Sequence, residues 1–232
     1  MRIFKFQISL FVLLATVCLA IGCATDRDDN QTNFRFFNAV AGFDSVDVLV
    51  DTDTYLEEIS FLESTAYLEF DTDPHLLQVT PSNSLTALDT QRVSLQDDVD
   101  YTYIACGDSS EAEAILLEDD NEPPGDQNFK ARMVNVFRKG SGFDIFVTGN
   151  PEAISDMLPT VERLRYKAAT SYQAGGAGVY DIVVRNTATG DVATILANQN
   201  FESESVYSIL LVPDEDRPEQ VRVLVLQDRG QK

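Results

Sequence analysis

Short groups of closely spaced carboxylates are the part of this sequence whose residue types and spacing could do chemistry. Calcium is bound in proteins by oxygen atoms, mostly those of Asp and Glu side chains. Counted from Asp51, however, Leu56 stands where an EF-hand loop needs glycine, and Leu62 stands where it needs Glu. Loops of less regular spacing can also bind calcium, so the sequence leaves a calcium site open for these acids: Asp51, Asp53, Asp71, Asp73, Asp97, Asp98 and Asp100.

Nucleophilic and acid–base catalysis depend on one histidine, because His75 is the only one in 232 residues. A Ser–His–Asp triad or a histidine proton shuttle would have to use it. Cys106 could be a nucleophile only if His75 lay beside it, and Gly140-Ser141-Gly142 lacks the spacing of a nucleophile elbow. Paired carboxylates for glycoside hydrolysis stay open, since their separation is spatial. We interpret the chain as non-enzymatic and expect no cofactor.

The charge balance bears on the partners of the protein. The net charge is −21, and hydrophobic residues make up 44% of the chain. Because that hydrophobic content is ordinary for a globular protein, the acids belong to a surface and do not indicate disorder. A surface this negative repels the phosphates of nucleic acids. We therefore expect no nucleic-acid partner.

The first 22 residues have the composition of a secretory signal peptide. Arg2 and Lys5 precede an apolar run from Ile8 to Ile21, and polar sequence begins at Thr25. The run is shorter than the roughly 20 apolar residues that a membrane-spanning helix needs. We predict that residues 1–22 are removed. An uncut membrane-spanning anchor is an alternative.

The small residues before Cys23 resemble the lipobox of bacterial lipoproteins, although Ala20 stands where that family prefers Leu. The resemblance implies that Cys23 carries a diacylglycerol and that its amine is acylated, for example with palmitate. Two or more acyl chains would anchor the protein stably, with residues 23–32 as a tether. Ala24 favours the outer membrane of a Gram-negative bacterium. In the alternative interpretation, Cys23 is incidental to an ordinary secretory peptide.

The mature sequence contains one unit twice. Residues 33–122 match residues 129–232, and the acidic segment before residue 129 contains Pro123-Pro124-Gly125, which predicts a linker over residues 123–128. A repeat of this length predicts a domain rather than one turn of a solenoid. The matched residues occur in the same order in both copies: Arg35 with Arg132, Asn38 with Asn135, Asp47 with Asp144, Tyr67 with Tyr172, His75 with Tyr180, Tyr101 with Tyr207, Cys106 with Val212, and Asp119 with Asp228.

Apolar residues alternate with other residues in short runs, such as Val46, Val48 and Val50. This period of two, interrupted by turn residues, predicts an all-β fold with one β-sandwich in each copy. Residues Gly175-Gly176-Ala177-Gly178 precede a predicted strand, so we expect a hairpin turn there rather than a phosphate-binding loop. Asn150-Pro151-Glu152 predicts a short helix.

Several motifs resemble the bacterial domain of unknown function 4397. They are Arg-x-x-Asn-Ala from Arg35, Val-Asp-Val-x-Val from Val46, and Tyr-Thr-Tyr-Ile-Ala-Cys-Gly from Tyr101. The family's usual prolines after Asn-Ala are missing from both copies, and the first copy lacks the Gly-x-Tyr that the second has at Gly178. The resemblance implies two tandem immunoglobulin-like β-sandwiches after a cleaved lipoprotein signal peptide, and it implies no catalytic residues.

Three functional hypotheses follow. The first is a non-enzymatic module for binding, adhesion or envelope structure, held at the membrane by its lipid and contacting an envelope protein or a glycan. The second is a carbohydrate-binding protein or hydrolase accessory, and the third is calcium-dependent adhesion. Because the chain has no Trp, the second hypothesis requires an exposed cluster of tyrosines drawn from Tyr67, Tyr101, Tyr103, Tyr172, Tyr180 and Tyr207.

Overall fold

Strands dominate the computed structural model of the protein, which describes residues 30–149 and 151–229. The first copy contains β1 (Gln31–Ala41), β2 (Ser45–Val50), β3 (Asp53–Ser60), β4 (Leu68–Asp71), β5 (His75–Pro81), β6 (Asp89–Val93), β7 (Asp100–Asp108) and β8 (Glu111–Asp119). The second copy contains β9 (Asn128–Asn135), β10 (Phe143–Thr148), a 3₁₀ helix (Pro151–Asp156), β11 (Val161–Leu164), β12 (Gln173–Gly176), β13 (Gly178–Asn186), β14 (Val192–Phe201), β15 (Val206–Pro213) and β16 (Val221–Arg229).

Each copy forms a sandwich of two four-stranded sheets. Sheet A has the order β4-β1-β7-β8 and sheet B the order β3-β2-β5-β6. In the second copy, sheet C (β12-β9-β15-β16) and sheet D (β11-β10-β13-β14) repeat these orders strand for strand. β1 pairs in parallel with β7, and β9 in parallel with β15. The all-β prediction of two β-sandwiches is therefore confirmed.

The period of two in the sequence places apolar side chains between the sheets. In β2, Val46 and Val48 are buried in the core of the first domain, and Asp47 points to the opposite face. In β10, Ile145 takes the corresponding place in the core of the second domain. Each domain therefore has a hydrophobic core of its own.

A third apolar core lies between the two domains. It forms because β1, β7, β9 and β15 are buried on both faces, so that one face meets the partner sheet of its own sandwich and the other meets the second domain. Its buried members come in matched pairs from the two copies: Phe37 with Val134, Ala39 with Val136, Ile104 with Leu210, and Cys106 with Val212. Equivalent residues from both copies thus meet across one interface, as in a twofold-symmetric dimer.

Both domains begin and end on the same side of the molecule. β1 and β9 start there, and β8 and β16 finish there. Arg229 Nη1 donates to the carbonyl oxygen of Asn121 at 2.8 Å, which joins the final strand of the second domain to the residues after β8. We call this side the terminal end. The opposite side, where β1, β7, β9 and β15 finish, is the loop end, and the line along which the domains meet is the seam.

Two local predictions receive an outcome from the structure. The short helix expected after Asn150 is present as the 3₁₀ helix Pro151–Asp156. The hairpin expected at Gly175–Gly178 is wrong, because β12 pairs with β9 in sheet C and β13 pairs with strands of sheet D. The glycines let the chain cross from one sheet to the other. The predicted signal peptide, Cys23 and nearly all of the tether lie outside the described residues. In the described ranges, no helix is long and apolar enough to cross a membrane.

Candidate binding cleft at the domain seam

Three adjoining cavities lie at the loop end of the molecule, two of them lined by residues of both domains and the third by the second domain alone. The largest, of about 480 Å³, lies between the β1–β2 and β3 ends of the first domain and the β15–β16 loop of the second. Another, of about 290 Å³, lies on the far side of that loop beside Phe137 and Phe143. A narrow one of about 60 Å³ connects them beneath Pro218 and Glu219. Together they form one cleft that crosses the seam, and we call it the seam cleft.

The β15–β16 loop divides the seam cleft and is held by its own hydrogen bonds. The Asp214 amide donates to the Gln220 carbonyl at 2.9 Å, and the Gln220 amide donates to the Arg217 carbonyl at 2.8 Å. Asp214 Oδ1 accepts the Arg217 amide at 3.0 Å. The loop is longer than its counterpart between β7 and β8, which consists of Ser109 and Ser110. The extra residues let it reach over the seam.

Aromatic rings and carboxylates line the larger cavity. Phe43 and Phe61 are partly buried there, and Asp44 and Glu215 expose their carboxylates beside them. The Phe61 amide donates to the Asp44 carbonyl at 3.2 Å, which ties the two first-domain segments together. Rings with adjacent carboxylates can hold a ligand that combines apolar groups with cationic or hydrogen-bond-donating groups.

Gly42 shapes the wall of this cavity. Its φ of +92° lies in the left-handed region that L-residues with side chains rarely adopt. A Cβ atom at this position would also lie 3.2 Å from Ser109 Oγ. The turn after β1 therefore needs glycine to bring Phe43 and Asp44 to the seam.

Two ion pairs between partly exposed side chains cross the seam at the loop end. Arg138 Nη1 of the second domain donates to the Glu111 carbonyl at 3.0 Å, and its Nη2 pairs with the Glu111 carboxylate. The bond to the Glu111 carboxylate raises the pKa of the Arg138 guanidinium. Lys167 Nζ donates to Glu113 at 2.6 Å, and this bond lowers the pKa of the Glu113 carboxyl. These two ion pairs therefore join the domains beside the cleft.

The proposed calcium ligands lie at the other end of the molecule. Asp51, Asp71, Asp97 and Asp100 sit in or beside the turns at the terminal end of the first domain. Asp51 accepts the Leu76 amide at 2.8 Å and contacts His75 Nδ1 at 2.6 Å, and the bond to His75 lowers the pKa of its carboxyl.

Several other acids of this set have protein partners of their own. Thr72 donates to Asp97 at 2.7 Å, while Asp100 accepts from Asn33 at 2.6 Å and from Asn121 at 2.8 Å. Asp71 accepts the amide of Asp73 at 2.9 Å. Within the described ranges, no three His, Cys, Asp or Glu side chains are grouped closely enough to hold a metal ion. The structure does not join Asp51, Asp53, Asp71, Asp73, Asp97, Asp98 and Asp100 into one ligand set.

His75 and Cys106 lie apart. The His75 ring packs edge-on against Phe70 at the terminal end, with ring centroids 5.2 Å apart. Cys106 is buried in the core between the domains, where its Sγ lies 3.3 Å from the Tyr166 hydroxyl. Burial raises the pKa of its thiol to about 11. The structure therefore gives Cys106 no base, and its burial opposes thiolate formation.

The tyrosines that a glycan platform would need are not exposed. Tyr101, Tyr103 and Tyr207 are buried, and Tyr180 donates to the Gly176 carbonyl at 2.8 Å. Tyr67 and Tyr172 are partly buried beneath the guanidinium groups of Arg35 and Arg132. The carbohydrate hypothesis thereby loses the support that these six residues would have given it.

The sequence did not point to the residues that line the seam cleft. Phe43 and Phe61 come from two segments of the first domain and Glu215 from the second, so no local motif contains them. The one sequence signal is the extra length of the second copy between β15 and β16, together with the prolines Pro213 and Pro218.

Comparisons with known proteins give three findings. No curated protein matches the chain. The crystal structure of the family 26 carbohydrate-binding module CBMbc from Eubacterium rectale Amy13K, in complex with maltoheptaose, has a TM-score of 0.24 at 8% identity, covering 86% of this chain and 98% of that one. A candidate adhesin from Bacteroides ovatus has a TM-score of 0.22 at 11% identity, covering 90% and 99%. Residues 32–146 match the family described as "Domain of unknown function (DUF4397)", so the family resemblance predicted from the motifs is confirmed over that part of the chain.

Proposed function

We propose that this protein is a non-enzymatic binding module, anchored by a lipid on Cys23 in the cell envelope of a Gram-negative bacterium, that holds its partner in the seam cleft. The observation that supports this most is the position of the cleft. β1 starts at Gln31 at the terminal end, within the last two residues of the predicted tether, and the seam cleft lies at the opposite end. An anchor on Cys23 would therefore direct the cleft away from the membrane.

A rigid seam would suit such a role. The two domains share an apolar core and two buried ion pairs, Arg35 with Asp228 and Arg132 with Asp119. Both halves of the cleft are therefore held in fixed positions, which lowers the entropic cost of binding.

The chemistry of the largest cavity favours a protein partner that presents basic and apolar side chains, whereas Lys139 lines the other two cavities. Phe43 and Phe61 offer apolar contact, Asp44 and Glu215 offer negative charge, and the whole chain carries a net charge of −21. Negative charge speeds the approach of a basic partner, and this effect weakens as the salt concentration rises. A glycan is the second candidate, because the rings of Phe43 and Phe61 could stack on a sugar.

Site-specific photo-crosslinking in living cells tests the binding role. A photoreactive residue placed at Ser60, which lines the cleft, should give a discrete adduct, and the same residue at Asn200, exposed at the far end of the edge strand β14, should not. The double variant Asp44→Lys/Glu215→Lys should lose the adduct. An adduct that survives protease treatment would favour the glycan, whereas equal adducts at both positions, or no effect of charge reversal, would refute the proposal.

Fractionation tests the anchor separately. The wild-type protein should sediment with outer membranes and incorporate labelled palmitate, and Cys23→Ser should abolish both. Cys18→Ser, within the predicted signal peptide, is the matched control and should change neither. Sedimentation of Cys23→Ser with membranes would contradict lipid anchoring without bearing on the seam cleft.

A further inference from the structure

A cavity of about 200 Å³ lies between the two sheets of the second domain. It is separate from the seam cleft and opens beside β12. Its walls are mainly apolar: Ala131 and Met133 from β9, Gly175 from β12 and Ile209 from β15 contribute to them. Thr160 and Gln173 are polar residues at its wall. The described residues that line it carry no charge, so it suits a neutral molecule.

In the first domain, aromatic rings occupy the positions equivalent to four residues that line this cavity. The strand registers define the equivalence: Phe34 pairs with Tyr101 as Ala131 does with Tyr207, and Phe36 pairs with Tyr103 as Met133 does with Ile209. Likewise Phe70 pairs with Thr32 as Gly175 does with Phe129. At four positions, the larger residue of the first domain is replaced by a smaller one in the second: Phe34 by Ala131, Phe36 by Met133, Phe70 by Gly175 and Tyr103 by Ile209.

The rings of the first domain pack against one another. Phe34 stacks on Phe70 with centroids 4.8 Å apart, and Tyr103 lies 6.0 Å from Phe34 and 6.1 Å from Phe36. In the second domain the equivalent strands surround the same space, but these four rings are absent. Phe129 stacks on Phe201 at 4.4 Å and forms one wall. A Cβ atom at position 175 would lie 2.9 Å from Cε1 of Phe129, so glycine there lets β12 run beside the ring.

Such a space is unfavourable when it is empty. Because the cavity opens beside β12, its apolar walls face water when no ligand is bound, and covering them is favourable. An engineered apolar cavity of roughly 150 Å³ is known to hold benzene. We propose that this cavity is a binding site for a small, neutral molecule built on a single aromatic ring with a short substituent. This proposal is independent of the partner in the seam cleft.

Toluene and benzyl alcohol serve as probes on the whole mature chain. Each should raise the melting temperature as its concentration rises, because a ligand bound only by the folded state stabilises it. Each should also shift the NMR signal of the Met133 methyl group, which lies at the cavity wall. The methyl signal of Met157, which does not line the cavity, should stay in place.

Filling the cavity supplies the decisive variant. Ala131→Phe with Ile209→Phe restores the bulk of the first domain and should abolish the response to both probes. Val192→Phe adds the same ring on the exposed edge strand β14 and should keep the wild-type response. If the double variant fails to fold, Ala131→Leu alone should weaken the response at least tenfold in probe concentration. An unchanged Met133 signal in the wild type, or an equal response from the filled variant, would overturn the proposal.

Discussion

Arg35 and Asp228, which are 193 residues apart in the chain, form an ion pair of 2.6 Å between the two domains, with both side chains buried. Arg132 and Asp119 form the reciprocal pair. Each arginine comes from the first strand of one domain, and each aspartate from the last strand of the other. A twofold interface has this property, because residue i meets residue j and residue j meets residue i.

Each aspartate also accepts hydrogen bonds from its own domain. Asp119 accepts from Tyr67 and from Thr102, both at 2.5 Å. Asp228 accepts from their counterparts, Tyr172 at 2.9 Å and Ser208 at 2.7 Å. Burial alone would lower the pKa of the Arg35 guanidinium, but Asp228, Tyr67 and Asp119 together outweigh burial and raise it. Arg35 is therefore charged at every pH at which the protein folds.

Loss of one arginine from this set should strongly destabilise the protein. Arg35→Ala leaves Asp228 buried without its ionic partner, and breaking a buried pair costs about 3–5 kcal/mol. Urea unfolding should show a lower midpoint by a corresponding amount. Arg138→Ala is the matched control, because its partner Glu111 is exposed, and should change the midpoint little. A small effect of Arg35→Ala would show that the pair does not hold the seam.

Removing both partners tests their coupling. Arg35→Ala with Asp228→Asn should cost less than the sum of the two single variants, because neither charge is then left buried alone. The four free energies of unfolding form a double-mutant cycle. Strict additivity would mean that the two residues contribute independently.

The two halves should stay together when the linker is cut. In the protein that lacks residues 1–22, a protease site that replaces residues 121–126 of the full sequence allows cleavage after folding. The apolar core between the domains and the paired charges should keep both fragments in one peak on size exclusion, at the volume of the intact protein. The same cleavage in Arg35→Ala/Arg132→Ala should give separate or aggregated fragments. Separation of the wild-type fragments would contradict a stable seam.

Much of this architecture follows from short-range patterns. Alternation at Val46, Val48 and Val50 predicted a strand because one face of it is buried in its own domain. In the sequence, both faces of Tyr101–Cys106 are apolar, and the cause is the second domain, which packs on Ile104 and Cys106. Residues Asp119 and Asp228 were matched by their place in the repeat. Their pairing across the seam was not predictable, since nothing local distinguishes them from solvated acids.

The seam cleft and the second-domain cavity are harder to predict for the same reason. The cleft depends on how two domains dock, which a pattern within one domain does not encode. The cavity depends on volume differences at Ala131 and Ile209, and these become meaningful only when the strand registers show which rings they replace.

Calcium should not change the stability of the protein. The oxygen atoms of Asp51, Asp97 and Asp100 already accept hydrogen bonds from other residues, and a cation would have to displace these bonds. The melting temperature of the mature chain should be equal in millimolar calcium and in chelator. A clear rise in calcium would establish a site that involves these acids and would restore the hypothesis of calcium-dependent adhesion.

The thiol of Cys106 should make the protein less stable in alkaline solution. Burial raises its pKa from an ordinary value of about 9 to about 11. Between pH 9 and pH 11 the unfolded chain therefore loses this proton while the folded protein keeps it. The free energy of unfolding must then fall as the pH rises through that range. Two pKa units correspond to a loss of about 2–3 kcal/mol.

Cys106→Val isolates this contribution, because Val212 occupies the equivalent place in the second domain and the apolar contact is kept. Urea unfolding of both proteins from pH 8 to pH 11 should give curves that converge or cross, with the wild type losing more stability. Tyrosines of the unfolded chain also lose protons in this range in both proteins, while burial raises the pKa of Tyr67, Tyr103 and Tyr172 in the folded state. The difference between the curves therefore measures the thiol. A constant difference across the range would show that Cys106 ionises as readily in the folded protein as in the unfolded chain.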